Sequence, residues 1–245
     1  MVSIFTRANT LARMSIFITG TDTGVGKTRV AAALVRALRA AGTDAVGFKP
    51  ICCGGREDAV ALAEASWNDE CGMTNDGGAK AAVSLNDVNP VWLRPPVAPY
   101  AAAMIEGRMV DVDLVREKFV QLSAAHAAVV VEGAGGWLVP VTRDFSMADL
   151  AAEFALPVLV VAANRLGVIN HTLLTVAAIR ASGLEGAGVV LNHLHAPKPD
   201  DPAVVTNAGV LGELLAALPG GAVPLLGEIE FGAAVLPPAL CEAAR

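Results

Sequence analysis

The apolar run Ser15-Ile16-Phe17-Ile18-Thr19 breaks at Gly20 into Thr21-Asp22-Thr23-Gly24-Val25-Gly26-Lys27-Thr28, after which an Ala-rich helical stretch begins. This order of strand, glycine turn and helix constrains the fold more than any other feature, because a helix that returns over a sheet is the repeating unit of a layered α/β domain. The turn also has its own chemistry. Glycines allow successive N–H groups to point inward at phosphate oxygens, Lys27 adds a mobile positive charge, and the Thr28 hydroxyl suits a Mg²⁺ ligand. The segment has the pattern of a P-loop with one departure: Thr21 stands where the loop commonly opens with Gly, and Gly20 lies one residue earlier. The alternative is a glycine-rich turn carrying Lys-Thr by chance, which the strand and helix on the correct sides disfavour.

Further apolar runs bounded by turn residues predict strands near 15–20, 44–48, 127–132, 157–163, 186–191 and 223–228. Most are continuous rather than alternating, as a sheet covered on both faces requires. Helical spacing lies between them, near 27–41, 57–66, 112–126, 147–155, 169–182 and 203–218. The expected fold is α/β, with three layers and a mostly parallel sheet between helices on both faces, so that ligands collect at the carboxyl ends of the strands. With 245 residues, 54% of them hydrophobic, the chain is long enough for one substantial core. A single domain is expected over 14–245, preceded by a disordered extension at 1–13, because the first strand begins abruptly after Met14. The stretch 68–100, rich in Asn, Asp, Gly and Pro, and the shorter 195–202 are expected to be surface excursions.

A net charge of −6 without Lys/Arg clusters argues against nucleic acid and anionic membranes as partners, and no apolar run is long enough to span a bilayer. The four cysteines, two of them adjacent at Cys52 and Cys53, show neither metal spacing nor a disulfide framework, which favours reduced thiols in the cytoplasm.

Five segments other than the loop fall where such a sheet places its strand ends. Lys49, in Gly47-Phe48-Lys49-Pro50, is positioned to balance phosphate or carboxylate charge; an exposed strand-end lysine is the alternative. Asp58, in Arg56-Glu57-Asp58-Ala59, fits metal binding and equally a carboxylate at a helix start. Glu132 ends the apolar strand Val129-Val130-Val131 and is followed by the glycine turn Gly133-Ala134-Gly135-Gly136, which suits a carboxylate reaching Mg²⁺ directly or through water. Gly167-Val168-Ile169-Asn170, with Leu166 before it and His171 after, opens a helix whose free N–H groups attract an anion, unless Asn170 is simply a cap. Asn192 ends a strand, where its amide could read a base edge or merely support a turn.

Taken together, GTDTGVGKT at 20–28, FKP at 48–50, EDA at 57–59, VEGAGG at 131–136, LGVINH at 166–171 and LLGEI at 225–229 resemble the dethiobiotin synthetase family across nearly the whole chain from Met14. The resemblance implies an ATP-dependent cyclo-ligase, a homodimer acting on 7,8-diaminononanoate, CO₂ and Mg-ATP. One amine traps CO₂ as a carbamate, its oxygen attacks the γ-phosphate, and the second amine closes a cyclic urea by expelling phosphate. Carried onto this sequence, it implies catalytic positions at Lys27, Lys49 and Thr23, and Mg²⁺ ligands at Thr28, Asp58 and Glu132. Nucleotide contacts are implied at Gly24 to Arg29, Asp58, Glu132, Gly133, Ala134, Gly135, Asn192 and the segment Glu230-Phe231-Gly232. Substrate contacts are implied at Cys53 and at Gly167, Val168, Ile169 and Asn170.

This chain departs from the family pattern at three places: Cys53 replaces a Ser or Thr, the segment between Cys53 and Asp58 is shorter than in some members, leaving Glu57 as a rival metal ligand, and Glu230 stands where Pro is common. Two other readings share the P-loop. Partitioning ATPases carry an early Lys in the loop where this chain has Asp22, and cobyrinic-acid-type amidotransferases need a glutamine-hydrolysing domain for which the chain has no room.

Overall fold

A computed structural model of the chain describes residues 14–67, 83–196, 201–233 and 235–244. The expected extension at 1–13, Cys71 and parts of the two proposed excursions lie outside the described residues. In chain order the elements are β1 (Ile16–Gly20), α1 (Lys27–Ala40), β2 (Ala45–Phe48), β3 (Ile51–Cys53), α2 (Glu57–Ala65), α3 (Leu85–Val88), β4 (Val91–Leu93), α4 (Pro99–Ile105) and α5 (Val112–Ala125). They continue with β5 (Ala128–Gly136), α6 (Met147–Phe154), β6 (Val158–Ala163), α7 (Val168–Ala181), β7 (Gly186–Asn192), α8 (Pro202–Ala216), β8 (Leu225–Ile229) and α9 (Pro238–Ala243).

Six strands form one sheet in the order β2-β5-β1-β6-β7-β8, every neighbouring pair parallel. Its strands are apolar on both faces because both faces are covered. Along β6, Val158, Val160 and Ala162 join a core with Phe119 of α5, Leu150 of α6, Ile179 of α7 and Leu215 of α8. The alternate residues Leu159, Val161 and Ala163 meet Leu34 of α1, Leu62 of α2 and Leu240 of α9 on the other side. In the first layer the rings of Phe119 and Phe154 stack with centroids 3.9 Å apart, and both lie beside Phe48. Each buried Phe removes enough apolar surface to contribute roughly 2–3 kcal/mol. The three-layer α/β expectation is therefore met, with strand β1 and its loop at the centre of the sheet.

Helix boundaries follow local chemistry. Ser146 and Asp149 form a reciprocal capping box at the start of α6, and Asp201 caps α8 ahead of Pro202, which suits a first helical position because its missing N–H has no partner to lose.

Two expectations need correction. The stretch 68–100 is not an unbroken excursion: within its described part, α3, β4 and the start of α4 are packed, with Val88, Val91 and Leu93 buried. β4 pairs in parallel with β3 in a small second sheet, and strands this short carry too little periodicity to be legible. Likewise, Gly133–Gly136 are not a turn. They extend β5, with Gly136 opposite Gly20 after an irregularity in the register. Glycine there permits close strand approach, since a Cβ on Gly133 would lie 3.1 Å from the Phe17 ring.

Candidate active site

The phosphate loop joins β1 to α1. Gly26, at φ 95°, is the residue before the helix, and a Cβ there would lie 2.1 Å from Asn192 Nδ2, so both backbone shape and packing require glycine. Lys27 is buried and donates from Nζ to the Asp22 carbonyl at 2.9 Å. Burial first, and the neighbouring Lys49 charge second, lower its pKa to about 8, although nearby carboxylates oppose both effects.

Lys49 is not an exposed strand-end lysine. It is 3% exposed, and its Nζ lies 2.6 Å from Glu132 Oε1, 3.0 Å from Asp58 Oδ2 and 3.3 Å from the Gly133 carbonyl. Burial alone would lower its pKa, but Glu132 and then Asp58 more than offset that and raise it. Thr28 Oγ1 donates to the same Glu132 oxygen at 2.8 Å. Lys49 thus gathers β2, α2 and β5 around the end of the loop. Asp58 is half-buried, and burial would raise its pKa; Lys49 and a hydrogen bond from Thr28 hold it below its ordinary value. Glu57 is exposed and folds over Gly55, where a Cβ would come within 1.8 Å of its Oε2. Geometry therefore joins Asp58, rather than Glu57, to Thr28 and Glu132.

One atom in this cluster bears directly on metal binding. Glu132 Oε2 is buried and has no hydrogen-bond partner among the described residues, a costly state for a carboxylate oxygen unless another group satisfies it. Together with the Thr28 hydroxyl and Asp58 carboxylate it forms a hard oxygen donor set suited to a divalent cation such as Mg²⁺.

A cavity of about 360 Å³ adjoins Lys49, lined among others by Thr23, Cys53, Asp58, Ala134 and Gly135 and walled by Pro96–Pro99. Burial raises the thiol pKa of Cys53 to about 11 and of Cys52 to about 12, so both thiols remain protonated and poorly nucleophilic at neutral pH.

At the opposite side of the loop, Asn192 Nδ2 donates to the Val25 carbonyl at 2.9 Å, and its Oδ1 accepts from Arg29 at 3.1 Å. Arg29 also donates to the carbonyls of Glu230 and Ala233, both at 2.7 Å. Loop, Asn192 and the Glu230–Gly232 segment are therefore neighbours, although the Asn192 amide is already engaged by protein groups.

The start of α7 does not line the cavity. Gly167, at φ 93°, occupies the position before the helix with no side-chain cap, Val168 is buried, Ile169 packs against the core, and Asn170 lies exposed inside the helix rather than capping it.

Sequence reasoning missed the residues that aim these groups. Asn89 is 1% exposed and donates to the Lys49 carbonyl at 2.8 Å and the Val91 carbonyl at 2.9 Å, while the Lys49 N–H donates to Val88. Arg56 in turn holds Asn89 through both its side-chain and backbone oxygens. Asp22 accepts from Thr23 N–H and pairs with Arg165 at 3.3 Å across the loop. The only sequence signal for Asn89 was the Asn-Pro step that follows it, which marks a turn without naming the partner.

Comparison with known proteins identifies the family. Residues 14–239 match the family described as an AAA domain. The ATP-dependent dethiobiotin synthetase of Akkermansia muciniphila is 44% identical over 219 residues, covering 89% of this chain and 92% of that protein. Those of Anaeromyxobacter dehalogenans strain 2CP-C and Xanthomonas oryzae pv. oryzae strain PXO99A are 51% and 36% identical, covering 81% and 89% of this chain and 84% and 94% of theirs. Among solved structures, a ParA family ATPase from Chlorobium tepidum (TM-score 0.52, 11% identity, 89% of this chain and 85% of that one) shares the fold. So does HypB from Helicobacter pylori (TM-score 0.53, 14% identity, 98% and 88%). The extent and identity of the first three matches, together with a P-loop set against a buried Lys-Glu pair, show that the chain belongs to the dethiobiotin synthetase family.

Proposed function

We propose that the chain converts 7,8-diaminononanoate, CO₂ and ATP to dethiobiotin, ADP and phosphate, as an ATP-dependent ligase of biotin biosynthesis. The observation that carries this reading is the convergence of Lys27, Lys49, Thr28, Asp58 and Glu132 beside a cavity that, among the described residues, has no strongly nucleophilic side chain. Such a site suits a reaction in which the substrate supplies its own nucleophiles and the protein positions them and balances charge.

In this reading the loop N–H groups and Lys27 hold the phosphates. Lys49 and Thr23 face the carbamate formed when one substrate amine traps CO₂, and Lys49 offsets the negative charge that accumulates as the carbamate oxygen approaches the γ-phosphate. Attack by the second amine then forms the remaining C–N bond and releases phosphate. Cys53 borders the substrate. Thr28, Asp58 and Glu132 would hold Mg²⁺, which when bound neutralises phosphate charge. The nucleotide base lies toward Asn192 and Glu230–Gly232.

The start of α7, open and outside its own chain's cavity, is read as the receptor for the substrate carboxylate of a twofold partner, with exposed Leu138, Leu166 and Leu174 suited to burial between subunits. The cytoplasm is the proposed location; among the described residues no helix is long and apolar enough to cross a membrane.

The test is incubation with diaminononanoate, bicarbonate, ATP and Mg²⁺, followed by mass detection of the cyclic urea alongside ADP and phosphate. ATP hydrolysis indifferent to the diamine overturns the reading.

A further inference from the structure

The exposed turn after β8 is held by a side chain from the other end of the sequence. Arg29 reaches from the first turn of α1 to Asn192 Oδ1 at 3.1 Å and to the Glu230 and Ala233 carbonyls at 2.7 Å each. Ala233 N–H closes the same turn on the Glu230 carbonyl at 3.0 Å. A guanidinium offers its donors in one rigid plane, so three acceptors on two segments are fixed relative to one another and to the phosphate loop. The contacts also determine the Asn192 amide orientation: reversing it would set NH₂ against the guanidinium and oxygen against the Val25 carbonyl. Within the pinned turn Phe231 is 56% exposed, an aromatic ring facing solvent beside a loop built to bind phosphates.

We propose that Arg29 is a positioning residue for recognition of the nucleotide base. It holds the Glu230–Ala233 turn so that the Phe231 ring offers a stacking face to the base, and it does not itself touch the phosphates. This deepens the proposed nucleotide site and rests on that reading. Three of its five N–H donors, including both on Nη2, already have protein acceptors, which is why a structural contact is favoured over direct contact with the ligand. An aromatic face stacks on any base, so the consequence is affinity for nucleoside triphosphates over bare polyphosphate, without discrimination among bases.

The test measures binding by calorimetry, without the diamine, so that it stands apart from the ligase assay. The ligands are Mg-ATP and Mg-tripolyphosphate, the latter carrying phosphates without a base. Arg29→Met and Phe231→Ala are each expected to weaken ATP binding about tenfold, while the double variant weakens it little further, because both changes remove one arrangement. Tripolyphosphate affinity is expected to stay within about twofold of wild type in all three, since the phosphate loop is intact. If Arg29→Met fails to fold, Arg29→Lys, which keeps the charge but cannot span three acceptors, is read by the same comparison. Additive losses in the double variant, or equal loss of ATP and tripolyphosphate binding, would overturn the proposal. Wild-type protein that binds ATP as expected yet forms no cyclic urea would instead overturn the ligase reading alone.

Discussion

Lys49 Nζ and Glu132 Oε1 lie 2.6 Å apart with side chains only 4% and 1% exposed, so each is the other's main compensation for leaving water. Removing one partner of such a pair strands the other. Lys49→Met is expected to lower stability by roughly 3 kcal/mol, and adding Glu132→Gln to recover part of that loss. Nucleotide affinity should be largely kept, because Lys27 and the loop remain, while turnover is lost. Urea denaturation of the two variants without nucleotide checks this; an unchanged midpoint for Lys49→Met would show that the pair contributes nothing.

Asp58 faces Lys49 at 3.0 Å whereas Glu57 folds away over Gly55. Asp58→Asn is therefore expected to raise the Mg²⁺ concentration for half-maximal activity about tenfold, since a neutral oxygen replaces an anionic ligand. Glu57→Gln should leave it unchanged. A Mg²⁺ titration in which the two variants exchange behaviour would reverse the assignment.

Lys27, with its pKa lowered from 10.5 to about 8, should make ATP binding pH-dependent. Above pH 8 the free protein loses this charge, and a triphosphate must then restore the proton on binding, so ATP affinity should fall steadily between pH 8 and 10. Stability without nucleotide has the opposite sign. Between pH 8 and 10.5 the unfolded chain holds more protons at Lys27 than the folded one, so this group adds stability as pH rises through that window. Calorimetric titration across the range, with Lys27→Met as control, tests the first effect. An ATP affinity that falls identically in that variant would exclude Lys27 as the cause.

If α7 serves the partner's site, its exposed Asn170 is the residue to change, because Ile169 packs in the core and would confound folding with binding. Asn170→Asp should repel a carboxylate and raise the Michaelis constant for the diamine. Mixing a strongly impaired Asn170→Asp variant with Lys49→Ala, after dissociation and random reassociation, should restore about a quarter of wild-type activity, because half the dimers are mixed and each has one intact composite site. No rescue, with mixed dimers verified by mass, would place the whole site in one chain.

Much of the architecture was legible because local pattern and global fold agree. The apolar runs are strands since both sheet faces are covered, and GTDTGVGKT announces its loop through its glycines, its Lys-Thr ending and the strand and helix on either side. β3 and β4 were not legible: three residues each is too short for a period, and they exist because Asn89 and the backbone around Lys49 hold them. The glycines after Glu132 read locally as a turn, yet they continue β5 alongside β1 through an irregularity in the pairing, with Gly135 at φ 66°.

What the sequence determined by itself is which chemistry is present: a phosphate loop, two lysines, carboxylates at a strand end and a helix start, and the α/β order that brings ligands to the carboxyl ends of the strands. Tertiary structure alone decided which carboxylate meets Lys49, that Lys49 is buried, and that Arg29 ties α1 to a turn two hundred residues on. The reason is physical. Periodicity and turn chemistry act over neighbouring residues, whereas hydrogen-bond partners and burial depend on which segments packing brings within about 3 Å of one another.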